Sequence, residues 1–239
     1  MAPIDKRADK VKVVLTGFEH LNNTTIDLPS TSGDSTTSRK HDATKADLFC
    51  QELPVEYRKV PEIIPAIHTK HTRRSPAAQS DSEPVDNEEN YLKTYFIHLG
   101  VGRDGHTAIE TQAHRTGYGH PDNSNWAPES KDEPPVKKEA WKADPDKLTT
   151  TVDTAALAQY LKEKKGWICQ QSMDAGLYLC EYTLYLSLAE RRRRIESGEE
   201  GAEERTCLFV HLPSVGNPYS LEQLQQFVKD MIVAVVTTY

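Results

Sequence analysis

Two stretches, Thr94-Tyr95-Phe96-Ile97-His98-Leu99-Gly100-Val101 and Cys207-Leu208-Phe209-Val210-His211, are apolar at nearly every position, with no polar alternation. A strand with one face in water alternates, whereas an unbroken apolar run belongs to a sheet covered on both sides. Val11-Lys12-Val13-Val14-Leu15-Thr16-Gly17-Phe18 reads as another such strand, closed by a glycine turn, and Phe49 to Val55 and Trp167 to Gln171 as two more. Helical spacing runs between them. Val60, Ile63, Ile64 and Ile67 predict a helix over 56–71, with Pro61 suited to its first turn and Pro65 expected to kink it. Thr154 to Lys165 and Tyr178 to Arg194 predict two more. A last helix starts at Ser220, where Gln223 completes a capping box and Leu221, Leu224, Phe227, Met231 and Val235 share one face. Strands alternating with helices predict an α/β fold, a twisted, mostly parallel sheet with helices on both faces, phosphorylase/hydrolase-like. Such sheets carry their sites at strand carboxyl ends, and Cys180, His211 and Glu110 all follow ends of this kind.

A chain of 239 residues with 37% hydrophobic residues can bury one substantial core, so one domain over 1–239 is expected. Polar insertions interrupt it near 29–45, 71–90, 124–150 and 195–205. Their composition is too polar to pack alone. The excursion from Arg115 to Lys147 is rich in Gly, Pro, Asn and charge, and long irregular excursions in compact domains are often functional. No apolar run approaches the roughly 20 residues of a membrane span, which together with a polar start predicts a cytoplasmic protein without membrane contact. Cys50, Cys169, Cys180 and Cys207 lack CxxC spacing, as expected of reduced thiols. A net charge of -7 disfavours nucleic acid as a partner. The run Arg191-Arg192-Arg193-Arg194 is followed by Glu196, Glu199, Glu200, Glu203 and Glu204, and reads as a solvated helix end rather than an anion site. His98, His106, His114 and His120 share no helical face and have no cysteine partners at zinc spacing, so no metal is expected.

The chemistry concentrates in Ser172-Met173-Asp174-Ala175-Gly176-Leu177-Tyr178-Leu179-Cys180-Glu181-Tyr182 and in Phe209-Val210-His211-Leu212-Pro213. The first places a cysteine in the opening turns of a helix, after a strand and a glycine turn. Helix-terminal N–H groups and a nearby imidazolium both favour a thiolate over a neutral thiol. His211 ends an apolar strand, where its ring can face a cleft as the base such a nucleophile needs. Each residue alone has a plainer reading: a small core cysteine, a histidine satisfied by a local hydrogen bond, an exposed loop glutamate at Glu110.

Several motifs in order resemble the pyroglutamyl peptidase I family of cysteine peptidases. They are Tyr95 to Val101, Thr107-Ala108-Ile109-Glu110, Gly117-Tyr118, Asp122-Asn123, Ser172 to Tyr182 and Phe209 to Pro213, with Val14 to Phe18, Pro54-Val55-Glu56-Tyr57 and Ile64-Pro65-Ala66 extending the match. The resemblance implies a single α/β domain and a Cys180–His211–Glu110 triad without metal or organic cofactor. It also implies a peptide substrate with a blocked N-terminus, from which a pyroglutamyl residue is removed. Cys180 is then the nucleophile, His211 the base and Glu110 the orienting carboxylate, with backbone N–H groups of Gly176 and Cys180 assigned to the oxyanion. The loop after the first strand supplies aromatic groups to the family's pocket, here Phe18, with Leu21 as an apolar wall. This chain departs from the family there: Gly17-Phe18-Glu19-His20-Leu21-Asn22 stands where Gly-Phe-x-Pro-Phe-Gly is usual, and Arg115 where an asparagine is expected. A catalytically weakened member acting as a binding or scaffold protein is the alternative these departures leave open.

Overall fold

Strand parity decides what each face of the sheet carries. In a computed structural model that describes residues 10–17, 24–27, 45–71 and 91–239, Tyr95, Ile97 and Leu99 of β4 (Thr94–Val101) point to one face and Phe96 to the other. Likewise Leu208, Val210 and Leu212 of β9 (Arg205–Leu212) oppose Cys207 and Phe209. Both faces are covered, which is why these strands lack polar alternation. On one side lie α2 (Thr154–Lys165) and α4 (Leu221–Thr238), packing Leu157, Leu161, Leu224, Phe227, Met231 and Val235. On the other lie α1 (Val60–Lys70) and α3 (Leu179–Glu196), packing Val60, Ile64, Ile67, Leu184 and Leu188.

The seven-stranded sheet has the order β2-β3-β1-β4-β9-β5-β8. Strands β1 (Lys10–Thr16), β3 (Lys45–Gln51), β4 and β9 run parallel. At the two sides direction changes: β2 (Thr24–Asp27) is antiparallel to β3, and β5 (Thr107–Glu110) is antiparallel to β9 while β8 (Cys169–Ser172) follows β5. The fold is thus a single-domain α/β structure with a mostly parallel sheet. Several bounds differ from the sequence reading. The second strand begins at Lys45, inside a stretch read as polar insertion, and ends before Pro54. Glu110 does not follow a parallel strand end; it closes the reversed strand β5. Most of the 29–45 and 71–90 insertions lies outside the described residues. The 115–147 excursion is bracketed by the small antiparallel pair β6 (Gln112–His114) and β7 (Lys147–Thr149) and holds one short 3-10 turn, Glu139–Trp141.

Helix α1 runs through Pro65. A proline there cannot donate to the carbonyl of Pro61, and Lys138 Nζ, from the excursion, donates to that carbonyl instead at 3.0 Å. Helix α4 begins with the reciprocal box foreseen in the sequence, Ser220 and Gln223 each satisfying the other's backbone.

The arginine run is not a solvated helix end. Arg194 pairs with Glu190 at 2.7 Å and Glu199 at 2.8 Å, and donates to Thr69 Oγ1 of α1 at 2.6 Å, with its side chain only 14% exposed. Arg193 holds Glu190 and Asp144, and Arg191 donates to the carbonyls of Arg205 and Glu203. The glutamates read as a charged loop are the partners that let this end of α3 pack. Removing one member leaves carboxylates half-buried and unanswered. Arg194→Ala is expected to lower the unfolding free energy by about 2 kcal/mol, measured as a shift in urea midpoint with unchanged slope; a change within error would mean that the cluster contributes nothing net.

Candidate active site

The same parity that builds the core collects the chemistry. His211, two residues beyond Phe209, and Glu110, next to Ile109 of the opposite face, both turn toward the α3 side. Because β5 runs against β9, Ala108 is the register partner of His211 and Glu110 that of Phe209, so the carboxylate sits two positions along the strand, within diagonal reach of the ring. His211 Nδ1 lies 2.8 Å from Glu110 Oε1. Glu110 is 1% exposed, so the exposed-loop reading of this residue does not hold.

Cys180 is the second residue of α3, half-buried, with its Sγ over β4. Gly100 makes this approach possible: a Cβ added there would lie 3.0 Å from Sγ and 2.8 Å from the Phe209 ring. Cys180 lies beside the His211 ring, which turns Nδ1 to Glu110 and leaves Nε2 for other partners. Burial works against charge on the ring, but the interactions with Cys180 and Glu110 outweigh it and hold His211 at about 9. An imidazolium at neutral pH beside a thiol favours the nucleophilic thiolate.

The turn before Cys180 is strained and braced. Gly176 has φ +95° and Leu177, a non-glycine residue, φ +46°, a conformation that costs on the order of 1 kcal/mol. Glu181, 1% exposed, spans the strain: Oε2 accepts the Leu177 N–H at 2.8 Å, and Oε1 accepts the His114 N–H at 3.0 Å and meets the His114 ring at 2.7 Å. It thus ties the cysteine turn to β6. The Gly176 N–H, assigned from sequence to the oxyanion, donates to Asp174 Oδ1 at 3.0 Å and is committed there. The N–H groups of Leu179 and Cys180, in the first turn of α3, have no intrahelical acceptor and no partner among the described residues.

Beside Cys180 stands an aromatic group that sequence reading missed. The Tyr57 ring lies 6.0 Å from Tyr178, 5.9 Å from Trp126 and 5.7 Å from Tyr182, centroid to centroid. Its hydroxyl is buried without a partner among the described residues and is held above the ordinary range by burial, then by Tyr178, Asp122 and Cys180. Asp122 fixes this wall, accepting from the Tyr57, Ser124 and Trp126 N–H groups at 2.9, 2.9 and 3.0 Å. Phe18 and Leu21, expected to line the recognition pocket, lie outside the described residues. Of the other histidines, His98 is buried against Thr16 and pushed down to about 3 by that burial, so it stays neutral. His106 faces Gln170 at 3.0 Å. No group of His, Cys, Asp and Glu suited to a metal ion occurs among the described residues.

No protein-family model matches the chain. Known proteins do. The chain is 27% identical over 188 residues to pyroglutamyl-peptidase 1 of Mus musculus and equally to that of Homo sapiens, covering 78% of this chain and 71% of each relative. Over most of its length the chain is thus similar to pyroglutamyl peptidases. Among solved structures it resembles pyrrolidone carboxyl peptidase from Fervidobacterium islandicum, with a TM-score of 0.60, 21% identity and coverage of 94% and 98% of the two chains. Pyroglutamyl peptidase I from Bacillus amyloliquefaciens gives 0.60, 17%, 95% and 96%. At these identities the structures show the fold alone.

Two outcomes follow from the geometry. Glu181→Ala strands two buried N–H groups and releases the Leu177 turn, so an unfolding free energy lower by about 2 kcal/mol is expected. Carboxymethylation of Cys180, followed by mass spectrometry of its peptide, should slow as well; unchanged labelling would reduce Glu181 to a stability element. The second concerns pH. The folded His211 value, about 9, exceeds its ordinary 6.5, so its contribution to stability is complete below about pH 6.5 and is lost as pH rises through 9. The stability gap between the native chain and His211→Ala should therefore narrow from pH 6.5 to 9.5 in urea titrations.

Proposed function

We propose that this protein is a cysteine peptidase that removes an N-terminal pyroglutamyl residue from peptides. The Glu110–His211–Cys180 relay carries this reading, and the relatives' names point to the same reaction. The Cys180 sulfur attacks the carbonyl of the first residue. The N–H groups of Leu179 and Cys180, at the positive end of α3, receive the oxygen as it gains charge. His211 gives its Nε2 proton to the leaving nitrogen, the C–N bond breaks and the shortened peptide departs, leaving a thioester. Water then passes a proton to His211 and attacks the thioester; the S–C bond breaks, pyroglutamic acid is released and the ion pair is restored. Glu110 holds the ring in the orientation and tautomer that this exchange needs, and answers its charge.

The leaving residue is a neutral lactam, which asks for apolar walls and a few hydrogen bonds rather than a charged anchor. Tyr57 and Tyr178 supply such a wall beside Cys180, with Phe18 and Leu21 assigned to the remainder. Every step uses groups of this chain, with no metal or organic cofactor. A peptide is the partner; the net charge of -7 speaks against nucleic acid. A reducing, cytoplasmic setting suits four free cysteines, one of which works only as a thiol. No helix among the described residues is long and apolar enough to cross a membrane.

The test is hydrolysis of a fluorogenic pyroglutamyl amide by the purified chain. Turnover is expected, blocked by iodoacetamide and reduced at least about a thousandfold by Cys180→Ser. Hydrolysis that survives Cys180→Ser overturns the mechanism. A folded, inert native chain would instead return a binding protein on a peptidase scaffold.

A further inference from the structure

The departing side of the reaction has its own enclosure. His211 Nε2 delivers the proton to the leaving nitrogen, so the chain beyond the scissile bond passes the imidazole on the side away from the Tyr57–Tyr178 wall. A cavity of about 310 Å³ opens beside His211. Gly102, Arg103, His106, Gln170, Asp174 and, from the triad, Glu110 and His211 are among the residues that border it, whereas Cys180, Tyr57 and Tyr178 are not, and the Glu110 carboxylate is already engaged by the His211 ring. Gly102 lets the backbone pass close to His211: a Cβ on Gly102 would meet His211 Cβ at 2.7 Å. His106 and Gln170 are engaged with each other at 3.0 Å. Asp174 Oδ1 is held by the Gly176 N–H, next to the turn that carries Cys180. Arg103, on the β4–β5 connection, is exposed and has no hydrogen bond or ion pair among the described residues. It is the cavity's uncommitted cation.

We propose that this cavity receives the residue that follows the scissile bond and that Arg103 selects a carboxylate there. That carboxylate is an Asp or Glu side chain, or the terminal carboxylate of a dipeptide. The inference rests on the peptidase reading and adds to it a preference on the departing side. Guanidinium geometry suits a carboxylate, and at an exposed site the pair gives modest discrimination that salt weakens.

The experiment compares kcat/KM for pyroglutamyl-glutamate amide, pyroglutamyl-glutamine amide and pyroglutamyl-glutamine free acid, in the native chain and in Arg103→Gln. The native chain is expected to favour the glutamate amide, the free acid or both over the glutamine amide, roughly two- to fivefold. Whichever preference is found identifies the source of the carboxylate, and it should shrink in 0.5 M salt (about a 4 Å screening length). Arg103→Gln should erase it while leaving turnover of the fluorogenic amide unchanged. Equal rates for all three peptides in the native chain, or a preference that persists in Arg103→Gln, overturn the proposal. Failure of the peptidase reading shows separately, as absence of turnover on the fluorogenic amide. In that event calorimetric titration of the same peptides into Cys180→Ser, with and without Arg103→Gln, still decides: an Arg103-dependent gain in affinity for the carboxylate peptides supports the site, and no such gain removes it.

Discussion

A histidine mostly withdrawn from water loses its charge unless something answers it, and His211 is answered by Glu110 at Nδ1 and by Cys180 beside the ring. Burial alone would leave the ring neutral, as it leaves His98 two strand positions from Gly100. The difference is Cys180 and Glu110 together, and Glu110 reaches the ring only because β5 runs against β9 and sets the carboxylate on the diagonal. The sulfur comes from the other direction, on a helix that could not approach so closely if β4 carried a side chain at Gly100. Remove the carboxylate and the same scaffold holds a cysteine and a histidine with no reason to exchange a proton.

Much of the scaffold was legible because burial on two faces leaves a plain mark. The runs at Thr94–Val101 and Cys207–His211 announced the central strands, and the capping box at Ser220 announced the last helix. Cys180 and His211 were readable because a cysteine behind a glycine turn and a histidine before Leu-Pro stand at element ends, where side chains meet clefts. Strand β5 was harder: four residues behind a short glycine-bearing connection carry no usable period and no sign of direction. The run of arginines misled, and Glu181 carried no sign of its role. Charge in a helix usually means solvent, and here each charge is spent on a backbone group or a partner far along the chain. The aromatic wall left still less trace, since Tyr57, Tyr118, Trp126 and Tyr178 come from separate segments and meet only in the folded protein. One mark of the site was present and unread, a glycine inside an otherwise apolar strand.

The strained turn and its brace show how precision is distributed. Leu177 keeps an unfavourable backbone so that α3 can begin where it does, and the stabilising carboxylate belongs to the residue just after Cys180. Position and support are thus written within five residues of one another, while the pull on the proton comes from Glu110, 101 residues before His211.

That separation has a consequence for the chain while it is being made. Helix α3 and strand β9 are near neighbours in sequence and close only a short loop, whereas Glu110 joins them through a long-range pairing that is slow to close. Until the reversed strand docks, the imidazole lacks the Glu110 carboxylate. The local contacts between α3 and β9 can therefore form before the pairing that brings the distant carboxylate to the ring.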